Sequence, residues 1–376
     1  MSIRTLAKYY TNFKGWRTNR KIIVIESDDW GSIRMPSKEV YQNCLKNGYR
    51  VDNNVYERYD SLASEQDLEL LFDLLKSFKD KHGNSPIITA NCMVTNPDFK
   101  KIREDNFERY HYELISETFK SYPNHANSLS LWKKGSEEGV FYPQCHGREH
   151  VNVSLLMDAL QRKDEDVLFG FNNKMPGCIS KGGLRAGNVY VEAMKANSSS
   201  DKKEKLEIFK EALDIFKDTF GYKSYTLTPP NYVWSPDYNS EVLKKGVKFI
   251  QGIRKYIEPV DGQKNKHHRV YLGMKSEGGP QFLVRNVTFE PSIYSATEEK
   301  NIDKCLREIK IAFDMKKPAI ISSHRINYVG YLVTENRDKS LVMLRKIIKS
   351  ALKKWPDIEF MTSEQLGKLM EIKETS

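Results

Sequence analysis

The sequence predicts an α/β fold, a distorted or incomplete (β/α) barrel with about seven parallel strands and an added antiparallel hairpin. Three observations predict it. Short apolar runs rich in β-branched residues recur along the 376 residues. Amphipathic helical stretches separate them. Polar residues capable of chemistry follow directly after three of the runs, at the strand ends where parallel α/β architectures collect their catalytic groups.

The strands come first. "IIVIES" (22–27), "PIITANCMV" (86–94), "GVFYPQC" (139–145), "SYTLT" (224–228), "VKFIQGI" (247–253) and "PAIISSH" (318–324) are bounded by Gly, Pro or polar residues and read as buried strands. Between them, "SEQDLELLFDLLKSFKDKHG" spaces Leu68, Leu71, Phe72, Leu75 and Phe78 as one helix face, with Ser64 as a cap and Gly83 as a stop. "KEKLEIFKEALDIFKDTFG" (203–221) and "DKSLVMLRKIIKSALKKW" (338–355) follow the same pattern. Two insertions interrupt the rhythm, near 34–63 and near 170–203, the latter rich in Gly, Ser and Lys. Residues 267–289 read as an antiparallel hairpin about a Gly-containing turn. The organisation expected is a basic N-terminal segment, 1–20, followed by one barrel over 21–376.

Composition narrows the class. With 60 basic and 50 acidic residues the net charge is +10, compatible with an anionic partner. The basic residues are spread through the helices among Glu and Asp, without a nucleic-acid-reading motif, so nucleic acid is not expected. Five scattered cysteines (Cys44, Cys92, Cys145, Cys178, Cys305) without C-x-x-C argue against a disulfide scaffold. No stretch has the apolar length of a membrane span, and the N-terminus lacks a signal-peptide core. The expectation is a cytoplasmic protein. Its first residues, with Arg4, Lys8, Lys14, Arg17, Arg20 and Lys21 among Leu6, Tyr9, Tyr10, Phe13 and Trp16, suit either peripheral contact with the inner membrane face or a basic helix closing one end of the barrel.

The three polar clusters are Asp28-Asp29 after the first strand, "HGREH" (His146–His150) after the third, and His324 ending "PAIISSH". Each has a bland alternative: a helix cap, a surface turn, a structural histidine. Together they make chemical sense. Two neutral imidazoles and a carboxylate form a mixed N/O site for zinc or a related dication, such as cobalt, nickel or manganese, with positions left for water and substrate. One aspartate binding the metal removes the like-charge penalty on its neighbour, which is then free to act as a base, while His324 can donate a proton.

In this arrangement the sequence resembles the metal-dependent polysaccharide deacetylases of carbohydrate esterase family four, the NodB-homology type. "ESDDWG" is similar to their Thr-Phe-Asp-Asp-Gly strand end, "HGREH" to His-(Ser/Thr)-x-x-His, and "ISSH" to Leu-x-His. "IITANCMV" and the run leading to "TPPNYVW" fall in matching order, so the likeness spans roughly residues 20 to 370.

The resemblance implies Asp28 as catalytic base, Asp29, His146 and His150 as metal ligands, and His324 as general acid. Tyr232 would offer a backbone N–H to the oxyanion. Trp30, Arg148, Asn231, Arg325 and Asn327 are the expected substrate contacts. Thr228 stands where the family places an arginine that orients the base, with Arg325, Arg148 or Arg185 as substitutes. Glu290 or Asp261 would replace the Asp that tunes the acidic histidine. The implied activity is removal of an acetyl group from the nitrogen of an acetamido sugar, in a polysaccharide, a lipid-linked glycan or a nucleotide-sugar precursor of surface polysaccharide. The alternatives are O-deacetylation and a non-catalytic carbohydrate-binding relative.

Overall fold

Ile22–Ile25 carry no polar alternation, as expected of a strand covered on both faces, and all four side chains are buried. A computed structural model describes residues 3–176, 181, 189–260, 265–294 and 296–374. The strands among them are Lys21–Trp30 (β1), Ile88–Met93 (β2), Thr95–Pro97 (β3), Tyr112–Leu114 (β4), Phe141–Gly147 (β5), Thr226–Leu227 (β6) and Phe249–Gly252 (β7). They continue with Lys255–Glu258 (β8), Lys266–Arg269 (β9), Gln281–Val284 (β10), Val287–Thr288 (β11), Ala319–His324 (β12) and Ile358–Phe360 (β13). All six runs expected as strands enter one nine-stranded sheet, ordered β10-β7-β6-β5-β2-β1-β12-β11, with β13 also against β1. Every pairing in it is parallel. The sheet is curled into a distorted barrel with helices around it.

The helices follow their sequence signals. Glu65–Lys76 starts at a capping box between Ser64 and Asp67 and ends at Ser77, short of Gly83. Ser199–Phe220 ends on Gly221, whose φ of 82° only glycine adopts without strain. Thr334–Lys354 covers the third predicted helix. Cys44, Cys92, Cys145 and Cys305 are buried and free; Cys178 lies outside the described residues.

The hairpin differs from expectation. An antiparallel hairpin is present, but it joins β8 to β9, pairing Lys255 with Arg269 and Glu258 with Lys266. Residues 281–288 enter the parallel sheet instead. Phe282, Leu283 and Val284 are consecutive and all buried, and a surface hairpin has no second face to cover them. β10 and β11 are the two ends of the strand order, yet only Arg285 and Asn286 separate them in the chain. Arg285 N–H donates to Gly252 O (2.8 Å) on one edge and Asn286 N–H to Ile320 O (3.0 Å) on the other. Those two residues are the seam of the barrel.

The N-terminal segment clasps this seam. Helix Ile3–Thr11 brings Lys8 Nζ within 3.0 Å of Asn286 O and 3.1 Å of the Glu308 carboxylate. Asn286 Nδ2 donates to Asn12 Oδ1 at 2.7 Å. No helix among the described residues is long and apolar enough to cross a membrane. The 34–63 insertion folds as short helices whose Met35, Cys44, Tyr49 and Val51 pack on Met175 and Leu332, which places its inner edge over the mouth of the barrel.

Candidate active site

Adjacent side chains of a regular strand point to opposite faces, so Asp28 and Asp29 should diverge. They do not, because Asp29 has φ 72° and the β1–β2 register shifts between Ser27 and Trp30. This left-handed backbone at a non-glycine residue is a conformation that persists only when its surroundings enforce it. Asp28 and Asp29 thus line one cleft of about 650 Å³ with His146, His150, Asn231, Tyr232, His324, Arg34 and Tyr56. Asn231 and Tyr232 on its rim also have positive φ, 54° and 55°.

One oxygen of Asp29 lies 3.4 Å from His146 Nε2 and 3.3 Å from His150 Nε2. Donor atoms bound tetrahedrally at about 2.0–2.1 Å from a common ion stand about 3.3–3.4 Å apart, so the spacing fits a dication. The donor chemistry fits too. His146 Nδ1 sits 2.7 Å from the Thr228 carbonyl oxygen. A carbonyl only accepts, so Nδ1 carries the proton and Nε2 presents its lone pair to the cleft. His150 Nδ1 is buried without a partner among the described residues. Burial raises the Asp29 pKa, but when the imidazoles carry both protons, their hydrogen bonds and charge outweigh burial and hold Asp29 well below the usual carboxylate range.

Asp28 is gripped rather than free. Arg285 forks onto both of its oxygens, Nη1 to Oδ2 at 2.6 Å and Nη2 to Oδ1 at 2.7 Å, while Nε reaches Glu26 at 2.6 Å. Asn91 Nδ2 donates to Asp28 Oδ1 at 2.7 Å. Burial raises the Asp28 pKa, but the Arg285 charge and its hydrogen bonds dominate and bring it down to about 2. Arg285 therefore orients Asp28, the position for which the sequence offers Arg325, Arg148 or Arg185. It reaches Asp28 from the seam rather than from the end of β6, where the hydroxyl of Thr228 donates to Gln251.

Asp28 and His324 are register partners on β1 and β12, with His324 Nε2 3.8 Å from Asp28 Oδ2. His324 Nδ1 lies 2.6 Å from Glu290 Oε1. Burial lowers the histidine pKa, but Glu290 outweighs it, helped by Asp29 and Asp28, and raises the imidazolium to about 10 from 6.5. Glu290 is thus the carboxylate partner of His324. Asp261 and Arg185 lie outside the described residues.

Four expected substrate contacts are placed elsewhere. Trp30 is 1% exposed and points into the core, its ring 4.8 Å from Phe141. Arg325 is fully buried, forked onto Asp60 and donating to Ser32 O, and so fixes the loop beneath the insertion. Arg148 is spent on Glu149 and Glu211. Asn327 is buried and donates to Glu290 Oε2 at 2.7 Å, orienting the carboxylate that holds His324. Asn231 does line the cleft. Tyr232 lines it too, but its N–H donates to Pro229 O at 3.0 Å in a tight turn and is not turned to the cleft as an oxyanion donor. Its hydroxyl accepts from Arg285 Nη1 at 2.9 Å instead. Arg285, Asn91, Arg34 and Tyr56 were not anticipated for the site.

Solved structures with a similar fold exist. One from Parabacteroides distasonis, assigned as a glycoside hydrolase/deacetylase, superposes with a TM-score of 0.51 at 10% identity, covering 94% of this chain and 72% of its own. The likeness is one of fold. Others include an assigned polysaccharide deacetylase from Mycobacterium smegmatis (TM-score 0.45, 11% identity, 96% and 94% covered). A 4-alpha-glucanotransferase from Thermococcus litoralis matches at 0.43 and 11%; 92% of this chain aligns with only 40% of that enzyme. No protein-family model matches the sequence, and no curated protein matches it.

Proposed function

We propose that the chain is a divalent-metal-dependent hydrolase that removes an acetyl group from the nitrogen of an acetamido sugar, carried on a polysaccharide, a lipid-linked glycan or a nucleotide-sugar precursor of surface polysaccharide. The observation that carries this reading is the convergence of Asp29, His146 and His150 within 4.8 Å of one another, beside an Asp28 clamped by Arg285 and a His324 held by Glu290. Zinc there, or cobalt, nickel or manganese, supplies Lewis acidity toward the acyl carbonyl and acidifies water. Asp28 accepts the proton of the attacking water. A carboxylate held at about 2 is a weak base toward free water, and a cation held by Asp29, His146 and His150 would supply the acidity that lets Asp28 act. His324 delivers its proton to the departing nitrogen, which leaves poorly as an anion. O-deacetylation uses the same groups.

The test is acetate release from acetamido sugars, nucleotide sugars and glycan fragments by zinc-, cobalt- or nickel-loaded protein. Activity that disappears on chelation and returns with metal is expected; no release from any of them would overturn the reading.

The acid role has its own signature. Glu290→Gln removes the nearest anion from the His324 imidazolium, so its pKa falls and the protonated form is lost at lower pH. The alkaline limb of kcat should move acidward by about one unit or more, with the acidic limb unmoved. An unshifted alkaline limb would assign the acid to another group.

Peripheral membrane contact through the N-terminus belongs to the same proposal, with the surface redefined. Lys8, Arg20 and Lys21 are paired with Glu308, Glu359 and Asp357, and Arg17 donates to Met315 O and Phe13 O. Leu6, Tyr10 and Phe13 remain exposed. Vesicles containing anionic lipid should co-sediment the intact protein and release a Leu6→Ser/Phe13→Ser variant. Equal recovery of both with vesicles would remove these side chains from the contact. Point variants are preferred to truncation because Lys8 and Asn12 hold the seam.

A further inference from the structure

Buried arginines in this molecule are saturated with acceptors. Arg285 serves Glu26, Asp28 and Tyr232; Arg325 serves Asp60 and Ser32 O; Arg337 serves Asp67 and Asp338; Arg148 serves Glu149 and Glu211. Arg34 is the exception. Its side chain is only 16% exposed, yet it makes no hydrogen bond to any described residue, and its Nε is buried without an acceptor. Its one ion-pair contact, Nε to Glu57 Oε1 at 3.4 Å, lacks hydrogen-bond geometry, and the other Glu57 oxygen is likewise unpartnered. A buried Nε without an acceptor is costly, and the four Nη N–H donors, bonded to no described residue, are open to a ligand in the cleft.

The position says which ligand. Arg34 lines the cleft that holds Asp29, His146, His150 and His324. The backbone beside it is pinned, with Ile33 N–H on Asn96 Oδ1 at 2.9 Å and Ser32 O on Arg325 at 2.6 Å. Its guanidinium lies 5.3 Å from the Tyr56 ring centre, and that ring meets His324 edge-on with centroids 6.0 Å apart. A guanidinium fork so fixed matches the two oxygens of a carboxylate or phosphate.

We propose that Arg34 is an anion-binding residue of this cleft, and that the acylated substrate carries a carboxylate or phosphate close to its acyl group. The inference rests on the deacetylase reading for what else the substrate is, and narrows it from acetamido sugars in general to anionic ones. Glu57 is the competitor that occupies one side of the guanidinium until the ligand arrives.

The experiment is calorimetric binding to zinc-loaded Asp28→Asn protein, so that turnover does not intervene. The probes are N-acetylglucosamine, N-acetylglucosamine 6-phosphate and an N-acetylated amino uronic acid, the last two separating phosphate from carboxylate. At least one anionic probe should bind about 10–100-fold tighter than the neutral sugar, the worth of a charge-assisted pair. Arg34→Gln should abolish that preference, and Glu57→Gln should strengthen it, a gain that a merely structural Arg34 would not give. Arg34→Lys, which retains charge without the fork, serves if Arg34→Gln fails to fold, and should retain only part of the preference. Equal binding of charged and neutral probes, or a preference that survives Arg34→Gln and so belongs to the cation, overturns the proposal. Acetate release by the parent protein, with no charge preference in binding, would sink this inference alone. Charge-selective binding with no acetate release by the parent protein would sink the deacetylase reading and leave Arg34 standing.

Discussion

Asp28→Asn should lower kcat by about 10²–10⁴-fold, the usual range for losing a positioned base, while the protein still retains its metal. The amide preserves shape and removes the proton acceptor. Asp29, His146 and His150 are untouched, so metal content after dialysis should be that of the parent. Charge balance favours survival of the fold: Arg285 keeps Glu26 as its counterion at 2.6 Å. The amide turns one donor toward a guanidinium N–H, at a cost of about 1–3 kcal/mol, which thermal unfolding will register. Parental kcat would reassign the base; lost metal would mean that Asp28 helps to hold it.

Arg285→Met should destabilise the protein by about 3–5 kcal/mol, the usual cost of stripping one partner from a buried ion cluster. Glu26 and Asp28, both buried, would then lose the guanidinium that bridges them, leaving the His324 ring, 3.8 Å from Asp28, as the positive group beside them. The pH dependence distinguishes this from a packing defect. In the parent, Asp28 titrates at about 2 instead of 3.8, so its stabilisation is present above the unfolded value and lost as pH falls toward 2. Burial already holds Glu26 above its unfolded value in the parent; without Arg285 it rises further, and burial and repulsion lift Asp28 above its unfolded value as well. Their protonation then stabilises the fold, and that stability is lost as pH rises. The urea midpoint of the variant should therefore be higher at pH 5 than at pH 7.5, and Glu26→Gln in the same chain should recover part of the loss. A midpoint deficit independent of pH would show that the guanidinium acts through packing alone.

Most of the scaffold and half of the site could be read from the chain itself, for a physical reason. A buried parallel strand announces itself locally by an unbroken apolar run, and a group at its end inherits a known position. Asp28, Asp29, His146, His150 and His324 all sit at such ends. What local pattern does not encode is direction. Trp30 follows Asp29 by one residue, yet the positive φ at Asp29 turns it into the core, and Arg325 and Asn327 follow His324 into buried structural roles. Arg285 was hidden by reading 267–289 as a hairpin, which placed it on a solvated edge. The available signal was a lone arginine inside "FLVRNVTF", because a cation in a strand buried on both faces requires a carboxylate partner nearby. Arg34 and Tyr56 carry no motif at all, since an insertion reaches a cleft only through its tertiary packing.

The two residues that join the ends of the strand order also determine what a half-finished molecule can do. Until Arg285 and Asn286 have docked against Gly252 and Ile320, the guanidinium has no fixed anchor, and Asp28 is neither oriented nor kept ionised against its neighbour. Closure of the seam and competence are then a single event. Intermediates lacking only this closure would hold most of their helices, and even the histidine pair, while remaining inert toward substrate. During refolding, recovery of helical signal should precede recovery of turnover.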